Sequence, residues 1–176
     1  MLRRWNIWFV ALALCGAAVN AAPTTVLVEA ESFKEYGGWV LDQQFMDQMG
    51  SPYLLAHGLG EPVKDATTVV EFPAPGKYRL WVRTKDWVAP WKVPGAPGKF
   101  QVFLDDKAVP TVFGTEGTLW HWQDGGVVEI PAKRATLALH DLTGFEGRCD
   151  ALLFASDPNY TPPADRAALS LSLIHI

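Results

Sequence analysis

Two carboxylates stand two residues apart near the start of the chain, in the segment TTVLVEAESF. Residues two apart lie on one face of a β-strand, so Glu29 and Glu31 would repel each other unless a cation lay between them. Carboxylate oxygens are hard ligands, and calcium is the cation that such a set favours. The alternative is a pair of solvated glutamates on an edge strand.

Two tryptophans follow the strongly alternating segment YRLWVRTKDWVAPW, which begins at Tyr78. The alternation ends at Thr84, and three prolines and two glycines before Lys99 exclude regular strand pairing there. Trp87 and Trp91 therefore lie on a loop next to a core strand. Such rings are typical of sugar-binding sites, because the apolar face of a pyranose packs on an indole. The alternative is that both rings cover the end of the core.

The sequence offers no catalytic motif. The histidines His57, His121 and His140 are far apart, and the chain contains no G-x-S-x-G, H-E-x-x-H or G-x-G-x-x-G pattern. His140 and Asp141 are adjacent, but neighbours on a strand point to opposite faces. We therefore predict no catalytic site in this part of the protein.

Short alternating segments recur at intervals of about eight to twelve residues, with turn residues between them and no convincing helical period. The chain of 176 residues, 49% hydrophobic and 19% charged, is ordinary for one globular domain. The pattern predicts an all-β fold over residues 24–157, an antiparallel β-sandwich of the jelly-roll type.

The first 22 residues have the features of a secretory signal peptide: two arginines, a short apolar run and a small-residue exit. This predicts a secreted or periplasmic protein with no membrane attachment after cleavage. Cleavage would leave 13 basic and 19 acidic residues, a balance that argues against nucleic acid as a partner. It would also leave Cys149 as the sole cysteine, and the apolar run CDALLFA predicts that this thiol is buried.

The last part of the chain is rich in proline and polar residues, which predicts a linker over residues 158–170. The final six residues, LSLIHI, resemble a translated sequencing adapter. We therefore expect residues 171–176 to be an artefact, and the natural chain to continue into a missing downstream domain.

Three segments resemble the galactose-binding-like jelly roll of carbohydrate-binding modules. They are the EAE motif in the opening strand, the central Y-x-L-x-V-R strand, and the closing strand in which Asp150 precedes an aliphatic run. In modules of that type two glutamates and an aspartate at these positions hold a structural calcium ion. The resemblance thus implies a metal site at Glu29, Glu31 and Asp150.

The same resemblance implies a sugar site on loops at one end of the sandwich. Those loops here contain Asp86, Trp87, Trp91, Phe145 and Arg148. The asparagine that is usual in the loop before the last strand is missing from this sequence.

A closer resemblance is to the N-terminal region of secreted bacterial FAD-dependent oxidoreductases. The matching segments are SPYLLAHGLGEPVKDATT, YRLWVRTKDWVAPW, TLWHWQDGG and HDLTGFEGRCDALLFASDPNYTPP. The resemblance implies an accessory module that binds polysaccharide or docks on the catalytic domain, with FAD bound only in the missing downstream domain. Trp81, which alternates outward beside Arg79 and Arg83, fits such docking. A module of a secreted glycoside hydrolase or polysaccharide lyase is the alternative.

Overall fold

The computed structural model describes residues 24–164, in which the regular secondary structure is almost entirely β-strand. The helical elements in this range are short: one α-helix, Met46–Met49 (α1), and two 3-10 turns, Ala30–Ser32 and Ala89–Trp91. The strands are Thr25–Glu29 (β1), Val40–Asp42 (β2), Tyr53–His57 (β3), Ala66–Glu71 (β4), Gly76–Thr84 (β5), Phe100–Leu104 (β6), Lys107–Phe113 (β7), His121–Ile130 (β8), Arg134–Asp141 (β9), Phe145–Cys149 (β10) and Ala151–Ala155 (β11).

The strands form three sheets, with the orders β1-β11-β5-β8, β4-β9-β6-β7 and β10-β3-β2. Every pairing between these strands is antiparallel. Neighbours within a sheet are mostly distant in the chain, so the strands cross between sheets as in a jelly roll. The prediction of an antiparallel β-sandwich is confirmed.

Alternating side chains of the two four-stranded sheets form one hydrophobic core. In β5 the side chains of Tyr78, Leu80 and Val82 are buried, as the period of two predicted. Leu137 and Leu139 on β9 are buried in the same cluster. Removing a side chain of this size from water stabilises the fold by about 1.5–3 kcal/mol. The core therefore fixes β5, whose end leads into the loop with the two tryptophans.

Strand β8 is continuous through Gly125 and Gly126, although paired glycines are typical of turns. Leu80 pairs with Gly126 but Trp81 pairs with Asp124, so Gly125 is the extra residue of a β-bulge. A Cβ atom at Gly125 would come within 2.9 Å of the Leu80 side chain. The glycines thus permit a bulge against the core instead of ending the strand.

The placement of Glu29 and Glu31 on one face of a strand is wrong. Strand β1 ends at Glu29, opposite Ala151, and the chain turns at once into the Ala30–Ser32 turn. The Ser32 hydroxyl donates to the Glu29 carbonyl over 2.6 Å and closes this turn. Local hydrogen bonding therefore replaces the strand geometry that the spacing of two assumed.

No helix among residues 24–164 has the length and apolar character needed to cross a bilayer. The predicted signal peptide, the final six residues and residues 165–170 of the predicted linker lie outside the described residues. The linker's first residues are described, and they pack on the outer face of the sheet that contains β5.

Candidate functional site

The loop between β5 and β6 is held at its start by Asp86. This side chain is buried, and its carboxylate accepts a hydrogen bond from the Val88 amide over 3.2 Å. The Asp86 amide donates to the carbonyls of Glu116 and Gly117 over 2.9 and 3.0 Å. Asp86, which the sequence placed among the sugar-binding residues, therefore shapes the loop from inside.

The other four residues predicted for the sugar site come together. The Trp87 ring stacks on Phe145, with centroids 5.9 Å apart and an interplanar angle of 22°, and Trp91 meets Trp87 edge-on at 6.3 Å. The Arg148 guanidinium lies 5.3 Å from the centre of the Trp87 ring, which is cation–π geometry. We call Trp87, Trp91, Phe145 and Arg148 the aromatic platform.

The outer members of the platform are open to solvent. Trp91 is 69% exposed and Phe145 is 44% exposed, whereas Arg148 is buried. Trp87 is intermediate, and its indole N–H donates to the Phe145 carbonyl over 3.0 Å. The platform thus presents two apolar rings to solvent on a base formed by Trp87 and Arg148, an arrangement suited to stacking a flat apolar ligand face.

Strand β10 positions the second half of the platform. Glu146 has φ +66°, in the left-handed region, and the β10–β3 register shifts between Phe145 and Gly147. The Glu146 carboxylate is hydrogen-bonded to the His57 ring and forms an ion pair, at 3.5 Å, with Arg148. The Glu146 carbonyl also accepts from Arg148 over 2.8 Å. These contacts fix the guanidinium beneath Trp87.

A second aromatic group, which the sequence did not predict as part of the site, lies beside the platform. Trp120 packs edge-on against Tyr53 at 4.9 Å and against Phe45 at 5.9 Å. The Lys85 ammonium lies 5.0 Å from the centre of the Phe45 ring. Trp120 precedes β8, which begins at His121, so strand alternation does not indicate where its side chain lies. The signal in the sequence that could have indicated this group was Lys85, because it directly precedes Asp86, a residue already predicted for the site.

Electrostatic interactions link this second group to Arg148. Burial raises the pKa of Tyr53 to about 12, while the Arg148 charge opposes this rise and Asp42 adds to it. Burial also lowers the pKa of Lys85, and the nearby Arg148 lowers it further. The cationic groups of Lys85 and Arg148 therefore share one partly buried region between the two aromatic groups.

The predicted metal ligands lie at the junction of β1, β10 and β11. Asp150 is fully buried, with a carboxylate oxygen 3.5 Å from Arg83. Burial raises the pKa of the Cys149 thiol well above its ordinary value, and the carboxylates of Asp150, Glu31 and Glu29 add to the rise. All three predicted ligands are thus close enough to Cys149 to act on it.

These carboxylates have the donor chemistry that calcium requires, but they do not converge. Within residues 24–164, no group of three or more His, Cys, Asp or Glu side chains is arranged to hold a metal ion. Arg83 already faces Asp150. Calcium coordination by Glu29, Glu31 and Asp150 would require their side chains to turn towards one point, and it stays a prediction.

A cleft of about 250 Å³ lies between β7 and β8, away from the platform. Its walls include Leu104, Val109, Val127 and Pro131, and none of its lining residues belongs to either aromatic group. The cleft is therefore separate from the platform, and the platform residues do not line it.

No protein-family model matches the chain, and no curated protein matches it by sequence. Solved structures do match. A family 35 carbohydrate-binding module from Clostridium thermocellum is 18% identical, with a TM-score of 0.58 over 76% of this chain and 98% of that one. The GH26-CBM35 β-(1,4)-mannanase of Podospora anserina is 19% identical, with a TM-score of 0.58 over 85% of this chain and 33% of that one.

The chain has the fold of family 35 carbohydrate-binding modules. A further module of this family, from an environmental isolate, is 12% identical, with a TM-score of 0.53 over 80% of this chain and 98% of that one. At these identities the likeness establishes the fold. The arrangement of the site rests on the side chains described above.

Proposed function

We propose that this domain is a non-catalytic accessory module that binds carbohydrate through the aromatic platform. The supporting observation is the stack of Trp87 on Phe145, with Trp91 edge-on beside it and Arg148 beneath it. The exposed faces of Trp91 and Phe145 bind the apolar faces of sugar rings, and Trp87 holds both in place. Because carbohydrate-binding modules share this fold, carbohydrate binding is the first function to test.

Binding of the wild-type protein to a panel of soluble polysaccharides tests the proposal, followed by titration of the best ligand into two variants. Trp91→Ala and Phe145→Ala should each weaken binding at least about tenfold, because each removes an exposed ring at the centre of the site. Val127→Ala is the matched control, since Val127 is also exposed but lines the separate cleft. Absence of any glycan ligand, or unchanged affinity in both platform variants, would contradict the proposal.

The second candidate is a docking surface for the catalytic domain of the complete protein. The exposed side chains of Trp91 and Val93 on the β5–β6 loop and of Phe145 at the start of β10 favour it, since aromatic residues are enriched in interface cores. An isolated domain of this kind would bind no glycan and would self-associate through the platform. Trp91→Ala would then abolish self-association, which sedimentation velocity measures directly.

The context that we propose is the N-terminal part of a secreted or periplasmic FAD-dependent oxidoreductase, with FAD in the downstream domain. Support comes from the four long segments that resemble the N-terminal region of such enzymes. A glycoside hydrolase or polysaccharide lyase is the alternative, and a family 35 module does form part of the β-(1,4)-mannanase chain. Sequencing the complete gene decides between them: a strand followed by G-x-G-x-x-G supports the first, and a hydrolase or lyase domain supports the second.

Calcium is proposed as a structural ion at Glu29, Glu31 and Asp150. Support comes from their donor chemistry and from Glu31, of which one carboxylate oxygen is buried without a hydrogen bond from residues 24–164. Millimolar calcium should raise the melting temperature of the wild type but not of Glu31→Gln. A wild-type melting temperature that is indifferent to calcium and to chelator would refute the site.

A further inference from the structure

The outer face of the β1-β11-β5-β8 sheet carries two tryptophans that are covered by the chain itself. Trp81 on β5 and Trp122 on β8 pack in a small cluster with Leu27, Leu153 and Tyr160. Tyr160 belongs to the segment that follows β11, which the sequence predicted to leave the domain as a linker. The Trp81 ring, for which the sequence suggested docking on another domain, is therefore packed against this chain's own segment.

Three side chains of the sheet donate hydrogen bonds to carbonyls of that segment. Arg79 donates to Pro158 over 2.7 Å, the Trp81 indole to Tyr160 over 3.1 Å, and the Trp122 indole to Pro163 over 3.1 Å. Arg79 is itself fixed by an ion pair with Asp124 and lies over the Trp81 ring at 5.3 Å. The three donors thus form a row on the sheet, and each donates a hydrogen bond to a different backbone carbonyl of the segment.

The segment is suited to this mode of contact. Asp157 starts it with a turn, in which its carboxylate accepts from the Asn159 amide over 2.8 Å and its carbonyl from the Tyr160 amide over 3.1 Å. Prolines at positions 158, 162 and 163 lack the N–H groups needed to add a strand to the sheet. Recognition of carbonyls in a proline-rich segment by aromatic side chains is an established mode of peptide binding.

The order of the contacts gives the segment a direction. Arg79 and Trp81 follow each other along β5, and Trp122 pairs with Arg83 farther along the same strand. Carbonyls 158, 160 and 163 meet these donors in that order, so the segment runs parallel to β5. Strand β5 ends at Thr84, immediately before the loop that bears Trp87 and Trp91 of the platform.

We propose that residues 157–163 form a docked strap, for which the outer sheet face with Arg79, Trp81 and Trp122 is the binding surface. The strap brings the chain to the end of the sandwich that carries the aromatic platform. It acts as a fixed joint: whatever follows Ala164 starts beside the platform and in a set orientation. This assignment stands on the strap's own contacts and does not depend on carbohydrate binding.

Limited proteolysis of the full chain tests the docking. Chymotrypsin cleavage after Tyr160 should be slow in the wild type, because the segment must leave the sheet before it fits a protease. Trp81→Phe combined with Trp122→Phe keeps an aromatic ring at each position but removes both indole N–H donors, and should speed this cleavage about tenfold. Trp91→Phe, at the exposed platform, is the matched control and should leave the rate unchanged.

Distance measurements test the direction and do not require the double variant to fold. One spin label at Ala164→Cys is paired with a second at Glu116→Cys, near Asp86, or at Lys77→Cys, at the start of β5. Narrow distributions, with the shorter distance to position 116, are the expected result. Rapid wild-type cleavage after Tyr160, broad distributions, or a shorter distance to position 77 would overturn the proposal.

Discussion

The carboxylate of Asp141 joins two loops near the platform, and its replacement should be costly. Asp141 ends β9, is 1% exposed, and accepts hydrogen bonds from the amides of Val63, Thr143 and Gly144 over 2.9, 3.1 and 2.8 Å. Val63 lies in the loop after β3, and Gly144 directly precedes Phe145. One buried side chain therefore holds both loops together.

Asp141→Asn keeps the shape of this side chain but replaces one acceptor oxygen with an NH₂ group. Both the Val63 and the Gly144 amides donate to the same oxygen, so two bonds to a charged acceptor become donor–donor contacts in one orientation of the amide. In the other orientation only the Thr143 bond is lost directly, but all remaining bonds lose their charge. At about 1.5–3 kcal/mol for each charged hydrogen bond, we expect a loss of about 3–5 kcal/mol in the free energy of unfolding.

Urea denaturation followed by tryptophan fluorescence measures this loss, with the slope m expected to stay constant. Asp106→Asn is the matched control. Asp106 is exposed in the β6–β7 turn with φ +64°, a conformation that asparagine also tolerates, so its stability should change by less than about 0.5 kcal/mol. A loss below about 1 kcal/mol in Asp141→Asn would refute the reasoning, because the three amides would then have found other partners.

Three other predictions concern single groups near the site. Gly144→Ala should destabilise the fold, because φ is +64° and the new Cβ would clash with the Glu61 backbone; far-ultraviolet melting curves measure the effect. The Tyr53 phenol should ionise at a pKa of about 12 in a spectrophotometric titration. Since this pKa exceeds the unfolded value of 10, its stabilising contribution is complete below pH 10 and is lost as the pH rises to 12, a loss absent in Tyr53→Phe. Cys149 should resist thiol reagents until the protein unfolds, and labelling of the folded protein at pH 8 would contradict its burial.

The sequence predicted the features that depend on local pattern. The alternation of Tyr78, Leu80 and Val82 identified a core strand, and the prolines after Trp87 identified the loop. The resemblance added Phe145, and the structure brings its ring onto Trp87. Period and turn chemistry are short-range properties, which is why the sheet architecture could be predicted from them.

The features that sequence reasoning missed depend on contacts between distant segments. The second aromatic group joins three separate segments, which carry Phe45, Tyr53 and Trp120. The periodicity of one segment does not predict a contact between segments. The proline-rich segment around Pro163 was predicted to be a linker. The same composition suits a segment that docks on a sheet face, so composition alone could not separate the two. Composition indicates the local conformations that a segment favours, but it does not indicate the surface against which the segment packs.

Contacts at Glu146 and Gly98 constrain the backbone that supports the platform. Glu146 keeps a left-handed backbone, which is strained for a residue with a side chain, because both of its carboxylate oxygens are engaged, by His57 and by Arg148. Gly98 adds to the constraint, since a Cβ there would come within 2.9 Å of the Trp87 ring. A ligand that stacks on Phe145 would therefore meet a surface whose supporting backbone is already held by these contacts, so little binding energy would be spent on ordering loops. Affinity should then follow the area of ring face presented, so that truncating an exposed ring weakens binding more than loosening the loops around it.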